Sequence, residues 1–315
     1  MPRVVVTGAT GFLGRHLLPV LARRYGEPEV LGLSSRDYDL TDPVQVKRMF
    51  ADTRPSILVH LAAAVGGIRA HCATPADFLY RNTLLTALVF EEAARHAVTK
   101  MIYLMGACSY PATARPPLQE SQLWNGFPQP ESAGYATAKR LGLVASLSYR
   151  RQYGLNSVVL IPGNMYGEYD NFRLQEAHVI PAMVRRYLES RQARAREIVM
   201  WGTGQPVRDF VYAADVAAVL PYFIDHYDLS EPVNISSGQG TSIRELAETI
   251  QELVGFEGDL RWDTTRPDGE KVKVLDVRRF QELGLSCPTP LREGLRRTIS
   301  WLRKHYDQRS DGLRL

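Results

Sequence analysis

Short apolar runs alternate with segments of helical periodicity through the first half of the chain. The apolar runs lack regular polar alternation and read RVVVTG, EVLGL, SILVHLAA, KMIYLM and NSVVLIP. Strands of this kind are typically buried on both faces of a parallel sheet. Between them, apolar residues recur at helical spacing, as in GFLGRHLLPVLARRYG and PADFLYRNTLLTALVFEEAARHA. This alternation predicts an α/β fold built on a doubly wound parallel sheet.

The pattern changes after Pro162, where loops lengthen and glycine and proline interrupt shorter elements. We therefore predict a first domain over residues 1–165 and a smaller C-terminal α/β lobe over residues 166–315. The segment at about 208–235 again has a strand-and-helix pattern, so we expect the chain to return to the first domain there.

Composition narrows the setting. The chain has 315 residues, 45% of them hydrophobic, and a formal charge of +4. Its three cysteines, Cys72, Cys108 and Cys287, are odd in number and widely spaced, which fits a reducing cytoplasm and disfavours disulfides or a metal site. We expect no leader, no membrane segment and no nucleic-acid partner. The mild positive charge suits an anionic small ligand.

The first motif with a chemical meaning is TGATGFLG, which falls between the first strand and the first helix. Glycines there let the backbone approach a pyrophosphate, and the helix amino terminus attracts its charge. The motif predicts a dinucleotide-binding (Rossmann) domain. The predicted cofactor contacts in this loop are Gly8, Thr10, Gly11, Phe12, Leu13 and Gly14.

The end of the second strand bears on which dinucleotide binds. NAD-binding proteins commonly place a carboxylate there for the ribose hydroxyls. This chain has Ser34, Ser35 and Arg36, whose hydroxyls and guanidinium suit a 2′-phosphate, although Asp37 follows directly. The sequence favours NADP and leaves NAD possible.

The second motif is YATAK, which places Tyr135 and Lys139 on one face of a helix. An ammonium beside a phenol is expected to lower the phenol's pKa from its usual value of about 10. Such a tyrosine can give a proton to a carbonyl oxygen while a nicotinamide delivers hydride to the carbon. The alternative is an ordinary surface pair.

These motifs resemble the extended short-chain dehydrogenase/reductases, and most closely their GDP-L-fucose synthase branch. The similar segments run almost end to end: AAAVGGI (62–68), ACSYP (107–111), GYATAK (134–139), PGNMYGEYDNF (162–172), HVIPAMVRR (178–186), WGTGQPVRDFVY (201–212) and RPDGEKVKVLD (266–276). The glycine loop and the tyrosine–lysine pair mark the superfamily. The double glycine of VGGI, the cysteine before YP, and HVIP are specific to the branch.

The resemblance implies an NADPH-dependent enzyme that epimerises and reduces a nucleotide-linked 4-keto sugar. In this branch a cysteine and a histidine epimerise the two carbons beside the ketone, and they match Cys108 and His178. Inversion needs a base on one face and a proton donor on the other, and a thiol and an imidazole both exchange protons near neutrality. Without the resemblance, Cys108 is more simply interpreted as a thiol of the core and His178 as a structural histidine.

The resemblance also implies binding residues. For the nucleotide sugar, which is a GDP-sugar or another nucleotide sugar, they are Gly67, Cys108, Asn164, Arg186, Trp201, Arg208 and Lys273. For the cofactor, the further contacts are Asp39, Leu40, Leu61, Ala62, Ala63, Tyr135, Lys139, Pro162, Asn164 and His178. The branch forms homodimers through a four-helix interface, which here implicates the helices around 78–96 and 134–153.

One position departs from the branch. Relatives carry a serine or threonine four residues before the tyrosine of YP, where its hydroxyl bonds the substrate ketone, and this chain has Gly106. Losing such a donor typically costs about 2.7–4 kcal/mol in the transition state. Three functions therefore stay open: an epimerase–reductase making GDP-L-fucose or a close analogue, an epimerase with weak reduction or another keto-sugar, and a non-catalytic NADP-binding regulator.

Overall fold

The computed structural model describes residues 3–266 and 268–306 and centres on a six-stranded parallel sheet. The strand order is β2-β1-β3-β4-β5-β9, with bounds β1 (Val4–Thr7), β2 (Val30–Leu33), β3 (Ile57–His60), β4 (Lys100–Leu104), β5 (Ser157–Pro162) and β9 (Val233–Ile235). Neighbouring strands pair in parallel throughout. The strand order changes direction between β1 and β3, which is where doubly wound sheets bind ligands.

The helices of this sheet lie in two groups, as a doubly wound fold requires. Their bounds are α1 (Phe12–Tyr25), α2 (Pro43–Thr53), α3 (Ile68–Ala73), α4 (Pro75–Arg95), α5 (Ala133–Tyr153) and α7 (Ala213–Asp225). Helix α1 packs on α7, while α4 packs on both α2 and α5. Local chemistry sets the ends: Asp42 caps α2 by accepting from the Val44 amide, and Gly154 ends α5 with a left-handed φ of 71°. The predicted fold class is confirmed.

One detail of the strand prediction is wrong. Strands β1, β3, β4 and β5 are buried along their whole lengths, but β2 is exposed at Leu31 and Gly32. Because β2 lies at the edge of the sheet, one side of it has no neighbouring strand to cover it.

A second, smaller group of elements follows β5. It contains β6 (Asn164–Tyr166), β7 (Glu197–Trp201), β8 (Val207–Tyr212), β10 (Gly240–Ser242), β11 (Asp259–Asp263), β12 (Val272–Lys273), α6 (Val179–Gln192), α8 (Ile243–Val254) and α10 (Leu291–His305). The short helix α9 (Arg278–Glu282) packs instead on β9 of the six-stranded sheet. Strand β8 pairs with β6, β10 and β12, and β7 pairs with β11.

Two hydrophobic clusters accompany these two groups of elements. The larger surrounds the six-stranded sheet, and it also takes side chains from β8, α7 and β9 and from residues 275–280. The smaller is built around Tyr187, Phe256 and Leu295. We infer that the clusters are the cores of a large lobe and a small lobe, and the boundary at residues 165–166 stays our proposal. No helix in the described part of the chain is long and apolar enough to span a membrane.

Candidate active site

The glycine loop and the segment after β3 lie against each other at the carboxyl ends of the strands. Gly8 has a φ of +70°, and a side-chain carbon there would lie 2.8 Å from the Ala62 nitrogen. A side-chain carbon on Gly14 would lie 2.5 Å from the Ala9 carbonyl oxygen. Only glycine permits both approaches, so the loop is closely packed and leaves its backbone amides at the start of α1. This cradle fits a dinucleotide pyrophosphate.

The other predicted cofactor contacts are distributed around this cradle. Thr10, Gly11, Phe12 and Leu13 belong to the loop and the start of α1, Leu61 and Ala63 flank Ala62, Pro162 ends β5, and Asn164 begins β6. Leu40 is buried in the core of the large lobe. Whether each residue contacts a cofactor stays a prediction.

A tight turn follows β2. Its Ser34 donates from both its amide and its hydroxyl to the Asp37 carboxylate, at 2.7 and 2.8 Å, and these bonds lower the Asp37 pKa. Asp39 is similarly engaged by the amide and hydroxyl of Thr41, at 2.9 and 2.7 Å. Arg36 forms no ion pair with any residue that the structure describes. The carboxylates are therefore satisfied within the turn, while the guanidinium of Arg36 remains available.

Tyr103 forms a platform for the lysine of YATAK. The Lys139 ammonium lies 4.2 Å from the centre of the Tyr103 ring, and the Tyr103 hydroxyl is 3.0 Å from that of Thr86. Gly142, one turn along α5, allows the helix to approach, since a side-chain carbon there would meet the Tyr103 ring at 2.2 Å. Lys139 is only 4% exposed, and burial lowers its pKa to about 7.

The same burial reverses one expectation about Tyr135. The pKa of its phenol is raised well above the usual value, by burial first and then by the nearby Cys108 and Tyr103. The prediction that Lys139 lowers this pKa is wrong, because burial disfavours the charged phenolate and the neighbouring Cys108 and Tyr103 act in the same direction. Tyr135 is therefore a protonated phenol in this site, as a proton donor requires.

The thiol and the phenol meet around Gly106. A side-chain carbon added to Gly106 would lie 3.2 Å from the Cys108 sulfur and 3.8 Å from the Tyr135 oxygen. Cys108 is partly buried, and burial raises its pKa, while Lys273 and Lys139 act in the opposite direction. The Ser109 hydroxyl donates to the Ala136 carbonyl at 3.4 Å, so it does not replace the missing hydroxyl.

The predicted histidine is positioned by a backbone contact. His178 is the exposed N-terminal capping residue of α6, and the segment before it is held by the Gly67 amide, which donates to the Glu176 carbonyl at 2.8 Å. A side-chain carbon on Gly67 would lie 2.7 Å from the Ala177 oxygen, so this approach also requires glycine. The double-glycine loop thus carries α6 toward the strand ends.

His71 is a residue that the sequence reasoning missed. It is 8% exposed, its ring lies 5.1 Å from that of Tyr135, and its Nδ1 makes no hydrogen bond within the described structure. Its pKa is lowered, by burial first and then by His178, with the Gly66 carbonyl opposing. His71 therefore lies close to both the phenol and the predicted histidine. It follows VGGI by a few residues, but nothing in its own pattern marked it.

The predicted nucleotide-binding side chains lie on the small lobe. Arg208 and Lys273 are paired in register on β8 and β12, and Arg208 donates to the Glu270 carbonyl at 2.6 Å. Lys273 forms an ion pair with the Glu270 carboxylate at 2.6 Å. Arg186 donates to the Val199 carbonyl at 2.8 Å. That contact places its guanidinium on β7, the strand that ends at the half-exposed Trp201.

Two further side chains support the site. Asn164 donates to the Asp209 carbonyl at 3.0 Å. The Asp209 carboxylate, 1% exposed, accepts from the Ser237 hydroxyl at 2.6 Å and from the Gly238 amide at 3.2 Å, and burial raises its pKa. The sequence reasoning missed Asp209, which directly follows Arg208. No group of histidine, cysteine and carboxylate side chains in the described ranges has the arrangement of a metal site.

A glycine-loop parallel sheet that carries a buried tyrosine–lysine pair beside its strand ends is typical of dinucleotide-dependent enzymes that act on carbonyl groups. Comparison with known proteins narrows this class. The chain belongs to the NAD dependent epimerase/dehydratase family, whose model matches residues 4–236.

Individual relatives lie in one branch of this family. A probable GDP-L-fucose synthase 1 of Oryza sativa subsp. japonica is 38% identical over 300 residues, covering 95% of this chain and 91% of the relative. The GDP-L-fucose synthase of Escherichia coli (strain K12) is 35% identical, and the match covers 97% of this chain and 98% of the relative. The crystal structure of a GDP-L-fucose synthetase from Naegleria fowleri superposes with a TM-score of 0.88 at 26% identity, covering 96% of this chain and 94% of that chain. A second structure of this synthetase is bound to NADP.

Proposed function

We propose that the protein is an NADPH-dependent epimerase–reductase that converts GDP-4-keto-6-deoxy-D-mannose, or a close analogue, to GDP-L-fucose or the matching deoxysugar. The observation that carries this proposal is the meeting of a thiol and a phenol around Gly106. One site there offers an epimerising base and a reducing proton donor. Relatives that cover nearly the whole chain are named for this activity.

In the epimerisation, Cys108 takes a proton from a carbon beside the ketone, and His178 returns one from the other face. The thiolate of Cys108 is the base; burial disfavours this charged form, and the charges of Lys273 and Lys139 stabilise it. Tyr135 polarises the ketone oxygen through its hydroxyl while a proton is removed from each of the two carbons beside the ketone. Under this proposal, the base lies just after β4 and the acid at the start of α6.

In the reduction, bound NADPH supplies hydride to the carbonyl carbon. Tyr135 gives its proton to the oxygen that gains charge, and Lys139 stabilises the resulting phenolate. Because burial holds the Lys139 pKa near 7, this lysine can also return a proton to the tyrosine at working pH. Both residues lie on one face of α5, so the pair acts on a single carbonyl.

For the cofactor, we propose NADP with the 2′-phosphate bound by Ser34, Ser35 and Arg36. The support is the turn after β2, in which Ser34 already satisfies Asp37 and leaves the Arg36 guanidinium without a carboxylate partner in the described structure. A phosphate fits that guanidinium by bidentate hydrogen bonding. The N. fowleri relative carries NADP.

For assembly and location, we propose a homodimer that works in the cytoplasm. Helices α4 and α5 pack side by side and leave Leu79, Val144 and Leu147 41–45% exposed. A second copy would cover these side chains and complete a four-helix interface. The unpaired cysteines favour a reducing compartment. Fractionation that finds the enzyme in another compartment would contradict the location.

The proposed reaction is tested with purified protein, GDP-4-keto-6-deoxy-D-mannose and NADPH in heavy water. NADPH oxidation reports reduction, and deuterium entry beside the ketone reports epimerisation. Cys108→Ser should largely abolish deuterium entry, because a hydroxyl is too weak an acid to supply the base. Tyr135→Phe should stop NADPH oxidation and leave part of the exchange. Cys72→Ser, on an exposed thiol, is the control.

Arg36→Ala, assayed with both cofactors, should weaken NADPH more than NADH. Full exchange in Cys108→Ser would rule out the thiol as the base. Equal affinity of the unmodified protein for the two cofactors would rule out the phosphate site.

A second candidate is an epimerase that reduces poorly. The observation that favours it is the backbone of Gly106, which provides no hydroxyl beside the Tyr135 oxygen. In that case the heavy-water assay gives deuterium entry in the unmodified protein with little oxidation of NADPH.

A further inference from the structure

Two guanidinium groups lie over the ring of Trp201. The central carbon of the Arg69 guanidinium is 4.4 Å from the ring centre, and that of Arg266 is 5.1 Å from it. The tryptophan is 53% exposed, although an indole of this size normally seeks burial. A half-exposed aromatic surface flanked by cations is typical of a site that binds a ligand.

The Arg69 contact joins the two lobes. Arg69 lies on α3 of the large lobe, directly after the double glycine, whereas Trp201 ends β7 of the small lobe. The loop after Trp201 is held firmly, because the Asp268 carboxylate accepts from the amide and hydroxyl of Thr203 at 2.8 and 2.7 Å. The tryptophan is therefore the fixed partner, and the exposed Arg69 side chain is the part that can move.

Two of the three arginines at this place, Arg69 and Arg186, have no carboxylate partner in the described structure. Arg69 has no ion pair within the described structure, and Arg186 bonds only the Val199 carbonyl and the Met200 sulfur. The carboxylate nearest to Arg266 is that of Asp263, at 3.8 Å. A guanidinium gains more from charge-assisted bonds to an anion than from an aromatic face. An anion with several charged oxygens is the ligand that this group of arginines lacks.

We propose that Arg69 is a nucleotide-binding residue supplied by the large lobe, whose guanidinium leaves the face of Trp201 to bind the diphosphate of the nucleotide sugar. This inference rests on the proposed function, since it takes a nucleoside diphosphate as the substrate's recognition group. The vacated ring face then becomes available to the planar base. Arg69 thereby connects substrate binding on the small lobe to the loop that positions His178.

The test measures the affinity of GDP and GMP for the whole protein by calorimetry, with NADP saturating so that neither nucleotide occupies the cofactor site. Arg69→Gln should weaken GDP about tenfold and GMP less than about threefold, because GMP lacks the second phosphate. The GDP affinity of Arg69→Lys should lie between those of the unmodified protein and Arg69→Gln, since a lysine keeps the charge and loses the bidentate geometry. The affinity of UDP is measured in parallel, so that the contact of Arg69 with the diphosphate is detected even if the substrate carries uracil instead of guanine.

Arg48→Gln is the matched control, because Arg48 lies 5.1 Å over the Tyr38 ring on a helix of the large lobe. It should leave GDP affinity unchanged. Equal effects of Arg69→Gln on GDP and GMP, or no effect on either, would overturn the inference. A parallel loss of NADP affinity in Arg69→Gln would also overturn the inference, because it would show that the substitution disturbs the fold generally. Failure of GDP and UDP to bind the unmodified protein would instead refute the proposed function, and this inference with it.

Discussion

Gly106 is the residue at which the chemistry of this chain can be tuned most directly. A serine there would direct a hydroxyl toward the Tyr135 oxygen and restore a donor to the developing oxyanion. We expect Gly106→Ser to speed NADPH oxidation by roughly tenfold, which is less than the hundred- to thousandfold effect typical of such donors. Part of that gain is offset because the new carbon lies 3.2 Å from the Cys108 sulfur, which must shift.

Gly106→Ala is the control for this prediction, because it adds the carbon without the hydroxyl. Stopped-flow measurement of hydride transfer distinguishes the two variants. If serine slows the reaction as much as alanine does, the glycine makes room for the substrate, and the bound pose differs from that of the relatives.

Lys139 links activity to stability. Burial lowers its pKa to about 7 from 10.5, so the folded state carries a penalty that is fully present below pH 7 and disappears as the pH rises through 10.5. At about 1.4 kcal/mol for each pKa unit, the penalty near pH 7 is on the order of 4 kcal/mol. We expect Lys139→Met to abolish reduction and yet raise the free energy of unfolding at pH 7.

Urea unfolding without added cofactor, at pH 7 and at pH 9.5, checks this. The gain from Lys139→Met should shrink at the higher pH, and the exposed Lys47→Met should show no gain at either. A gain that grows with pH would contradict the assignment of the penalty to the charged lysine.

Cys108, Tyr135 and Lys139 lie close together, but their protonation states could not be predicted from the sequence. Spacing alone places Tyr135 and Lys139 on one face of a helix. The pKa values of both side chains depend on burial and on Cys108, and that of Tyr135 depends also on Tyr103; both neighbours are distant in the sequence. His71 was missed for the same reason, since its role follows from its tertiary neighbours.

Among the elements, the double-glycine loop before α3 has the most specific geometry. Gly67→Ala keeps an ordinary backbone conformation, with φ −71° and ψ 172°, but its new carbon would lie 2.7 Å from the Ala177 oxygen. The segment that leads into His178 must then move. Because a displacement of about 1 Å can cost a hundredfold in rate, we expect deuterium exchange to fall by that order and NADPH affinity to change much less.

Ile68→Ala, at an exposed neighbour of the same loop, is the control for the exchange measurement. Normal exchange in Gly67→Ala would mean that the loop serves folding and does not position the histidine.

Most elements were predictable because local patterns determine them. The apolar runs became β1, β3, β4 and β5, and the two segments of helical spacing became α1 and α4. The exposure of β2 was not predictable, since its place at the edge depends on strand order and not on its own residues.

At the scale of the whole molecule, the outer face of α4 and α5 predicts the assembly. Leaving Leu79, Val144 and Leu147 in water costs free energy at about 25 cal/mol per Å² of apolar surface. We expect light scattering at micromolar concentration to give the mass of a dimer, and Leu147→Glu to give that of a monomer. Val44→Glu, at a 74% exposed position on α2, should remain dimeric. A monomeric unmodified protein would contradict the interface.

The place of β9 in the sheet has a consequence for how the protein folds while the ribosome synthesises it. Strand β5 ends at Pro162, yet its neighbour β9 begins only at Val233, after the chain has passed through much of the small lobe. Until that later segment leaves the exit tunnel, the nascent sheet presents the predominantly apolar β5 as an unpaired edge. Synthesis therefore passes through an interval in which chaperone protection matters most, and that interval ends when β9 is added.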